Sequence, residues 1–274
     1  LETVLLHKSA FLCVTPFFRL APFGFINAFI LSHSVHFLPF FATIPEIYSK
    51  FVKTYSISIK MGEHICFRRN ERLATVNPYW RGNPMVRGRF FNRQHRFRPG
   101  MGSVLKWRLS PNPQRKEKKA VKWDPKVCYL RSLDAVVGDS LIWLGHNSFF
   151  LQLAGKRVMF DPVFGNIPFV KRQSEFPANP DIFTEIDYLL VSHDHFDHLD
   201  KRSIAHLLKN NPQMKLFCGL GTGELIQSWF SEMKIVEAGW YQQIEDEGLK
   251  ITFLPAQHWS KRSVRDGGQR LWGA

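Results

Sequence analysis

The C-terminal half of the sequence predicts an α/β fold, and three observations carry that prediction. From Val137 onward, short apolar runs of strand length alternate with segments of helical spacing. The most apolar of these runs, Ile-Asp-Tyr-Leu-Leu-Val-Ser at 186–192, has the composition of a strand buried on both faces. His193-Asp194-His195-Phe196-Asp197-His198 follows it directly, and ligand-binding residues of open α/β sheets gather at the carboxyl ends of strands.

The elements follow in order. Residues 140–144 are apolar and β-prone, Gly145-His146-Asn147 interrupts them, and 148–153 resume the pattern. Ala154-Gly155-Lys156 is a turn, and 157–160 form a third strand ending at Asp161-Pro162. After the buried strand at 186–192, Asp200 is a suitable N-cap for a helix over 201–210, in which Ile204, Leu207 and Leu208 keep helical spacing. A strand is predicted at 215–218 and a helix over 221–233, with Leu225, Ile226 and Trp229 on one face. A last strand at 250–254 stops at Pro255.

Composition excludes several classes. The 274 residues are 45% hydrophobic and 22% charged, so the chain is neither disordered nor collagen-like. Its length suits one sizeable domain or two small ones. Four Cys lie far apart without a Cys-x-x-Cys pair, which argues against a disulfide scaffold and a Cys-rich zinc finger and suits a reducing compartment. The net charge of +14 is local: residues 81–131 hold 15 Lys/Arg against two acids, whereas residues 132–274 hold 14 against 17. Residues 61–136 therefore read as a basic arm, irregular over 77–126 with at most a short helix. Such an arm meets phosphates on a peripheral membrane surface, a nucleic acid or an acidic partner, or is simply solvated. No specific nucleic acid is expected.

Residues 1–60 hold ten of the 25 Phe and no Met. The uncharged stretch 23–41 is just long enough to span a bilayer, but His33, His36, Asn27 and Pro39 make it a poor spanning helix. Three readings stand: a membrane-associated segment, a poorly ordered extension, or translated sequence upstream of a start at Met61, the last two being favoured. No convincing signal peptide is present, so a cytoplasmic or peripheral-membrane location is expected.

The chemistry sits at 193–198. In an extended backbone residues i and i+2 point the same way, so His193 and His195 can meet one metal. Asp197 and His198 stand one step further and can serve a second. Imidazole and carboxylate suit zinc, manganese or iron, and a site without thiolate leaves positions for water.

The pattern His-x-His-x-Asp-His after a strand resembles the signature of the metallo-β-lactamase superfamily, whose members are αββα sandwiches and mostly two-metal hydrolases. The run LIWLGHNSFFL at 141–151, Phe160-Asp161-Pro162-Val163-Phe164, and Leu199-Asp200 after the motif extend the likeness. So do Pro255-Ala256-Gln257-His258-Trp259 and Leu271-Trp272-Gly273. Together they resemble the branch of the N-acylphosphatidylethanolamine-hydrolysing phospholipase D enzymes and their bacterial relatives. Asn77-Pro78 and Trp107 are weakly compatible with it. The likeness covers residues 138–274 and is absent over 1–76.

The resemblance implies that His193, His195 and His258 hold a first zinc, and Asp197 and His198 a second, with Asp197 also orienting or deprotonating the nucleophile. It puts Asp161 near the site, holding a ligand His by a hydrogen bond, although a plain turn Asp is an equal reading. His146 either lines the pocket or is structural, the latter favoured. The implied activity is hydrolysis of a phospholipid phosphodiester. Alternatives are another substrate, such as a phosphorylated lactone or other phosphodiester, and an inactive metal-binding fragment. The family's metal-bridging Asp and its last His ligand are expected beyond Ala274, and Asp266 does not fill the bridging role. Residues 137–274 are thus expected to be the N-terminal part of a sandwich truncated at its C-terminus, weak in metal binding and prone to aggregate.

Overall fold

A computed structural model describes residues 64–92, 101–121, 126–168 and 170–274; the Phe-rich stretch 1–60 and its three readings lie outside them. Four short strands come first: β1 (Ile65–Arg68), β2 (Ala74–Thr75), β3 (Asn83–Val86) and β4 (Arg89–Phe90). Helices α1 (Met101–Leu109) and α2 (Arg115–Ala120) follow. The antiparallel meander β5 (Ser140–Gly145), β6 (Ser148–Leu153) and β7 (Lys156–Phe160) comes next. The chain continues through β8 (Tyr188–Val191), α3 (Lys201–Asn210), β9 (Lys215–Gly219), α4 (Thr222–Gln227), β10 (Lys234–Ala238), β11 (Gln242–Asp246) and β12 (Leu249–Phe253).

The main sheet has six strands in the order β10-β9-β8-β7-β6-β5, with β7 to β10 parallel to one another. Period-two alternation explains why β8 reads as an unbroken apolar run. Leu189 and Val191 face one core with Met159, Leu216 and Cys218, and helix α3 adds Ile204 and Leu207 to it. Tyr188 and Leu190 face the other way, with Val158 and Phe217, onto Ile244, Leu249 and Ile251 of a second, three-stranded sheet ordered β12-β11-β2. Helix, sheet, sheet is the layer order of the described residues. Asp200 caps α3 as its sequence predicts, accepting from the Ser203 amide at 3.0 Å and its hydroxyl at 2.6 Å.

Three expectations need correction. The helix predicted over 221–233 ends at Gln227. Trp229 and Phe230 instead fold back on Ile226 in tight turns, packing on the core, so that Met233 is buried and β10 can start at Lys234. Strands β10 and β11 are additional to the predicted set; their exposed positions dilute the apolar signal. The arm is also not irregular where it begins. Strands β1, β3 and β4 form a small antiparallel sheet, and β2 pairs with β11, so tertiary pairing overrides a Pro/Gly/Arg-rich composition. Asn83, fully buried, donates to the Arg68 carbonyl at 2.9 Å and accepts from the Trp240 amide at 3.0 Å. Trp80, Phe90, Trp240, Leu271 and Trp272 form a shared core between this segment and the C-terminal loop. The arm also holds two helices, α1 and α2, where at most one short helix was expected; both are exposed, with Leu105, Trp107 and Leu109 turned to solvent.

Candidate metal centre

Four chain segments converge at the carboxyl end of the main sheet. Strand β7 delivers Asp161, β8 delivers Ser192 and His193, the β5–β6 hairpin delivers His146 and Asn147, and the loop after β12 delivers His258. The hairpin turn is tight: Gly145 has φ +93° and His146 φ +54°. The φ of Gly145 lies in the left-handed region that favours glycine, and a Cβ there would also press on the Arg172 guanidinium.

His193 Nε2, His195 Nδ1 and His258 Nε2 point at one another, separated by 2.9, 3.1 and 2.9 Å. The network assigns the proton on His193. Ser192 Oγ has one hydrogen and gives it to Asp161 Oδ2 at 2.6 Å, so it must accept from His193 Nδ1 at 2.9 Å. His193 Nε2 then carries a lone pair facing two other ring nitrogens. Closely set nitrogen lone pairs repel unless a cation lies among them, and ligand atoms on a tetrahedral zinc stand about 3.3 Å apart. The first cluster therefore fits a divalent metal.

The second cluster is His146, Asp197 and His198, whose ligand atoms lie within 4.8 Å of one another. His146 Nε2 is 2.9 Å from Asp197 Oδ2, and His198 Nε2 is 3.7 Å from the same oxygen. His198 Nδ1 donates to Asp161 Oδ2 at 2.7 Å, which leaves its Nε2 as an acceptor, taking a bond from Asn147 Nδ2 at 3.0 Å. The His193 and His198 rings are 4.0 Å apart, so the two clusters are neighbours. One buried carboxylate, Asp161, orients both: it also accepts from the Ser192 amide at 2.8 Å.

Charge follows burial. Burial, reinforced by the other imidazoles, pushes His193 well below the ordinary imidazole range and His258 down to about 4. Burial also lowers His195. For His198 burial acts downward, but the Asp161 charge and hydrogen bond win and raise it. Burial would raise Asp197, yet the hydrogen bond to His146 and the nearby His198 hold it at about 2. Neutral imidazoles beside an ionised carboxylate are the protonation states a metal requires.

All seven site residues expected from the sequence thus meet in one place. Asp266 lies apart, bonding the amides of Arg262 and Ser263 and pairing with Arg270. Sequence reasoning missed the residues that hold the ligands. Asp194, fully buried, pairs with Arg270 at 2.9 Å and accepts from the Lys261 amide at 2.9 Å. Arg262 donates to the carbonyls of Asp194 and Leu199 and lies 4.1 Å over the Phe196 ring. Asn92 donates to the His258 carbonyl at 2.7 Å and accepts from the Trp272 indole at 3.2 Å. An Asp between two inward-facing His was a usable signal that a buried cation must exist, but its identity is a long-range fact.

Residues 156–272 match the family model of the β-lactamase superfamily domain. The chain is 32% identical over 148 residues to N-acyl-phosphatidylethanolamine-hydrolyzing phospholipase D 1 of Caenorhabditis elegans, covering 47% of this chain and 40% of that enzyme. It is 32% identical over 129 residues to a metal-dependent hydrolase of Saccharolobus solfataricus, covering 46% of this chain and 54% of that protein. Among solved structures, a metallo hydrolase of Ignicoccus hospitalis aligns at 17% identity with a TM-score of 0.34, covering 48% of this chain and 53% of that one. The chain thus spans between two fifths and just over half the length of these proteins.

Proposed function

Because residues 156–272 belong to the metallo-β-lactamase superfamily, we infer that the chain is part of a metal-dependent hydrolase, specifically a phospholipase D-like phosphodiesterase acting on N-acylphosphatidylethanolamine-type phospholipids. The observation that carries the hydrolase reading is the pair of adjoining ligand clusters at the sheet's carboxyl end, three imidazoles beside a carboxylate–imidazole set. The likeness to the Caenorhabditis elegans phospholipase supports the substrate class.

Zinc is the metal this donor set suits best, with manganese or iron as the other fits. His193, His195 and His258 would hold one such ion and Asp197 and His198 another, and the chemistry supplied there would be a more acidic bound water and charge neutralisation at a phosphoryl group. The protein's own residues do the rest. Asp197, ionised at neutral pH, accepts a proton from the attacking water or orients it. Asp161 and Ser192 keep the Nε2 atoms of His193 and His198 free of protons. Water adds to phosphorus and the bond to the headgroup oxygen breaks; the products are phosphatidic acid and an N-acylethanolamine, which takes up the proton.

A peripheral membrane surface is the partner this reading implies. Trp107, Leu105 and Leu109 are exposed beside Lys106, Arg108, Arg115, Lys116, Lys118 and Lys119, an arrangement suited to an anionic bilayer surface. The likeness to the Saccharolobus metal-dependent hydrolase supports hydrolysis without naming a substrate; the second reading is the same chemistry on a phosphorylated lactone or another phosphodiester.

The test is zinc-loaded protein incubated with vesicles containing N-acylphosphatidylethanolamine, with phosphatidic acid measured by mass spectrometry. Release that disappears in a His193→Ala, His195→Ala variant is expected. Turnover of a phosphorylated lactone or a nucleotide phosphodiester in place of the lipid overturns the substrate assignment. No turnover of any of these by fully metal-loaded protein overturns the hydrolase assignment for this chain and leaves a metal-binding fragment.

A further inference from the structure

Beside the first ligand cluster, acidic side chains turn inward and basic ones turn outward. We propose that the rim formed there by loop 261–266 and the start of α3 is a docking surface for an anionic lipid bilayer, with Val264 as its inserted tip. The proposal rests on the phospholipid reading above and deepens it: the bilayer contact borders the metal centre itself and is separate from helices α1 and α2.

Charge comes first. Residues 132–274 carry more acids than bases, 17 against 14, yet this rim is cationic. Lys201, Arg202, Lys261 and Arg265 are exposed, and none of them has an ion-pair partner among the described residues. The carboxylates that act on the neighbouring Arg262 are engaged elsewhere: Asp194 and Asp266 with Arg270, and Asp200 at the cap of α3. The apolar component lies among these cations. Val264 is 92% exposed, and Phe196, between His195 and Asp197 in the ligand loop, is 39% exposed. The strip is continuous: the Arg262 guanidinium lies 4.1 Å over the Phe196 ring and 5.3 Å over the Trp229 ring, and Lys201 Nζ lies 5.5 Å over Trp229. The loop is also firm. Asp266 Oδ1 accepts from the amides of Arg262 and Ser263 at 3.1 and 2.7 Å, the Gly268 amide donates to the Ser260 carbonyl at 2.9 Å, and Arg89 donates to the carbonyls of Arg265 and Gly267. A loop already ordered loses little conformational freedom when it docks.

Cations around an exposed apolar tip match a bilayer, which offers anionic headgroups above an acyl interior. A soluble polyanion would use the cations alone and leave Val264 and Phe196 in water, so the bilayer is the occupant the surface favours. The rim also sits where a lipid substrate is needed. The Lys261 amide bonds Asp194, between the two His of the motif, and the Trp259 ring lies 5.5 Å from the His195 ring. A bilayer held by loop 261–266 therefore lies against the ligand clusters.

The test is co-sedimentation of the full 274-residue chain with vesicles of phosphatidylcholine, alone or mixed with phosphatidylserine, and binding of the same protein to polyglutamate. The variants are Val264→Ser, which removes the apolar tip without changing charge, the double variant Lys261→Ala, Arg265→Ala, and Trp107→Ala in α1 as the comparison. The expected result is binding to the anionic vesicles that falls about fivefold for each cation removed. Val264→Ser should also weaken it severalfold while binding polyglutamate as wild type does. Anionic-vesicle binding unchanged in both loop variants overturns the proposal, whatever Trp107→Ala does. Equal losses on vesicles and polyglutamate in the double variant, with none in Val264→Ser, overturn the bilayer assignment in favour of an acidic partner. No binding of wild type to anionic vesicles overturns it as well. Turnover of N-acylphosphatidylethanolamine in detergent micelles by zinc-loaded wild type reports separately on the substrate reading: its absence, with the vesicle results as expected, overturns that reading and leaves the docking surface standing.

Discussion

Asp161→Asn isolates what one buried carboxylate does for two imidazoles. Asp161 accepts three bonds: from the Ser192 amide at 2.8 Å, the Ser192 hydroxyl at 2.6 Å and His198 Nδ1 at 2.7 Å. Asparagine has the same shape and retains one acceptor, enough for the Ser192 amide. Its amide nitrogen, however, is a donor where His198 Nδ1–H and the Ser192 hydroxyl proton stand. To avoid facing donor with donor, His198 must move its proton to Nε2, the atom aimed at the second cluster. Ser192 loses its acceptor, and with it the reason for His193 to keep Nδ1 protonated. Loss of such an orienting partner costs about 10–100-fold in metal affinity, or roughly 1.4–2.7 kcal/mol. The assay is zinc affinity by competition with a coloured chelator, with urea unfolding run in parallel. A variant that stays folded and binds zinc as tightly as wild type would refute the role assigned to Asp161.

Other perturbations have equally definite outcomes. Arg270→Ala leaves the fully buried Asp194 carboxylate without its cation, and breaking a buried pair in this way costs about 3–5 kcal/mol in urea unfolding; a loss below about 1 kcal/mol would show the pair to be dispensable. Leu207→Ala empties space in the α3–sheet core and should cost about 2–5 kcal/mol by the same measurement. Metal-free protein should lose stability as pH falls from about 6.5 to about 4, because the unfolded chain protonates its imidazoles first while His258 stays neutral down to about 4. Asp197, held at about 2, extends the loss below pH 4, whereas His198, raised by Asp161, is protonated in both states across the upper window and adds nothing there. Urea midpoints that are flat between pH 7 and 4 would contradict this.

Much of this was legible in local sequence. Strand β6 and helix α3 fall on the predicted residues because period-two and 3.6-residue patterns, a turn at 154–156 and the Asp200 cap agree with one another. The cluster at 193–198 was legible because four ligand-type side chains follow a buried strand. His258 and Asp161 needed the family resemblance, since a lone His after a strand and an Asp-Pro turn are common in any loop. The β1–β4 segment was illegible for a physical reason. Its strands are two to four residues long and stabilised by distant partners: Ala74 against Gln243, Asn83 against Trp240, Asn92 against His258. The turn bearing His146 looked like an interruption between strands; only the fold shows that it closes over Asp197.

The most direct test of the central claim is a crystal structure of the zinc-loaded protein with an anomalous difference map at the zinc edge. The account predicts one peak among His193 Nε2, His195 Nδ1 and His258 Nε2, and a second beside Asp197 and His198. A map from metal-saturated crystals with no peak among the three imidazoles would contradict it.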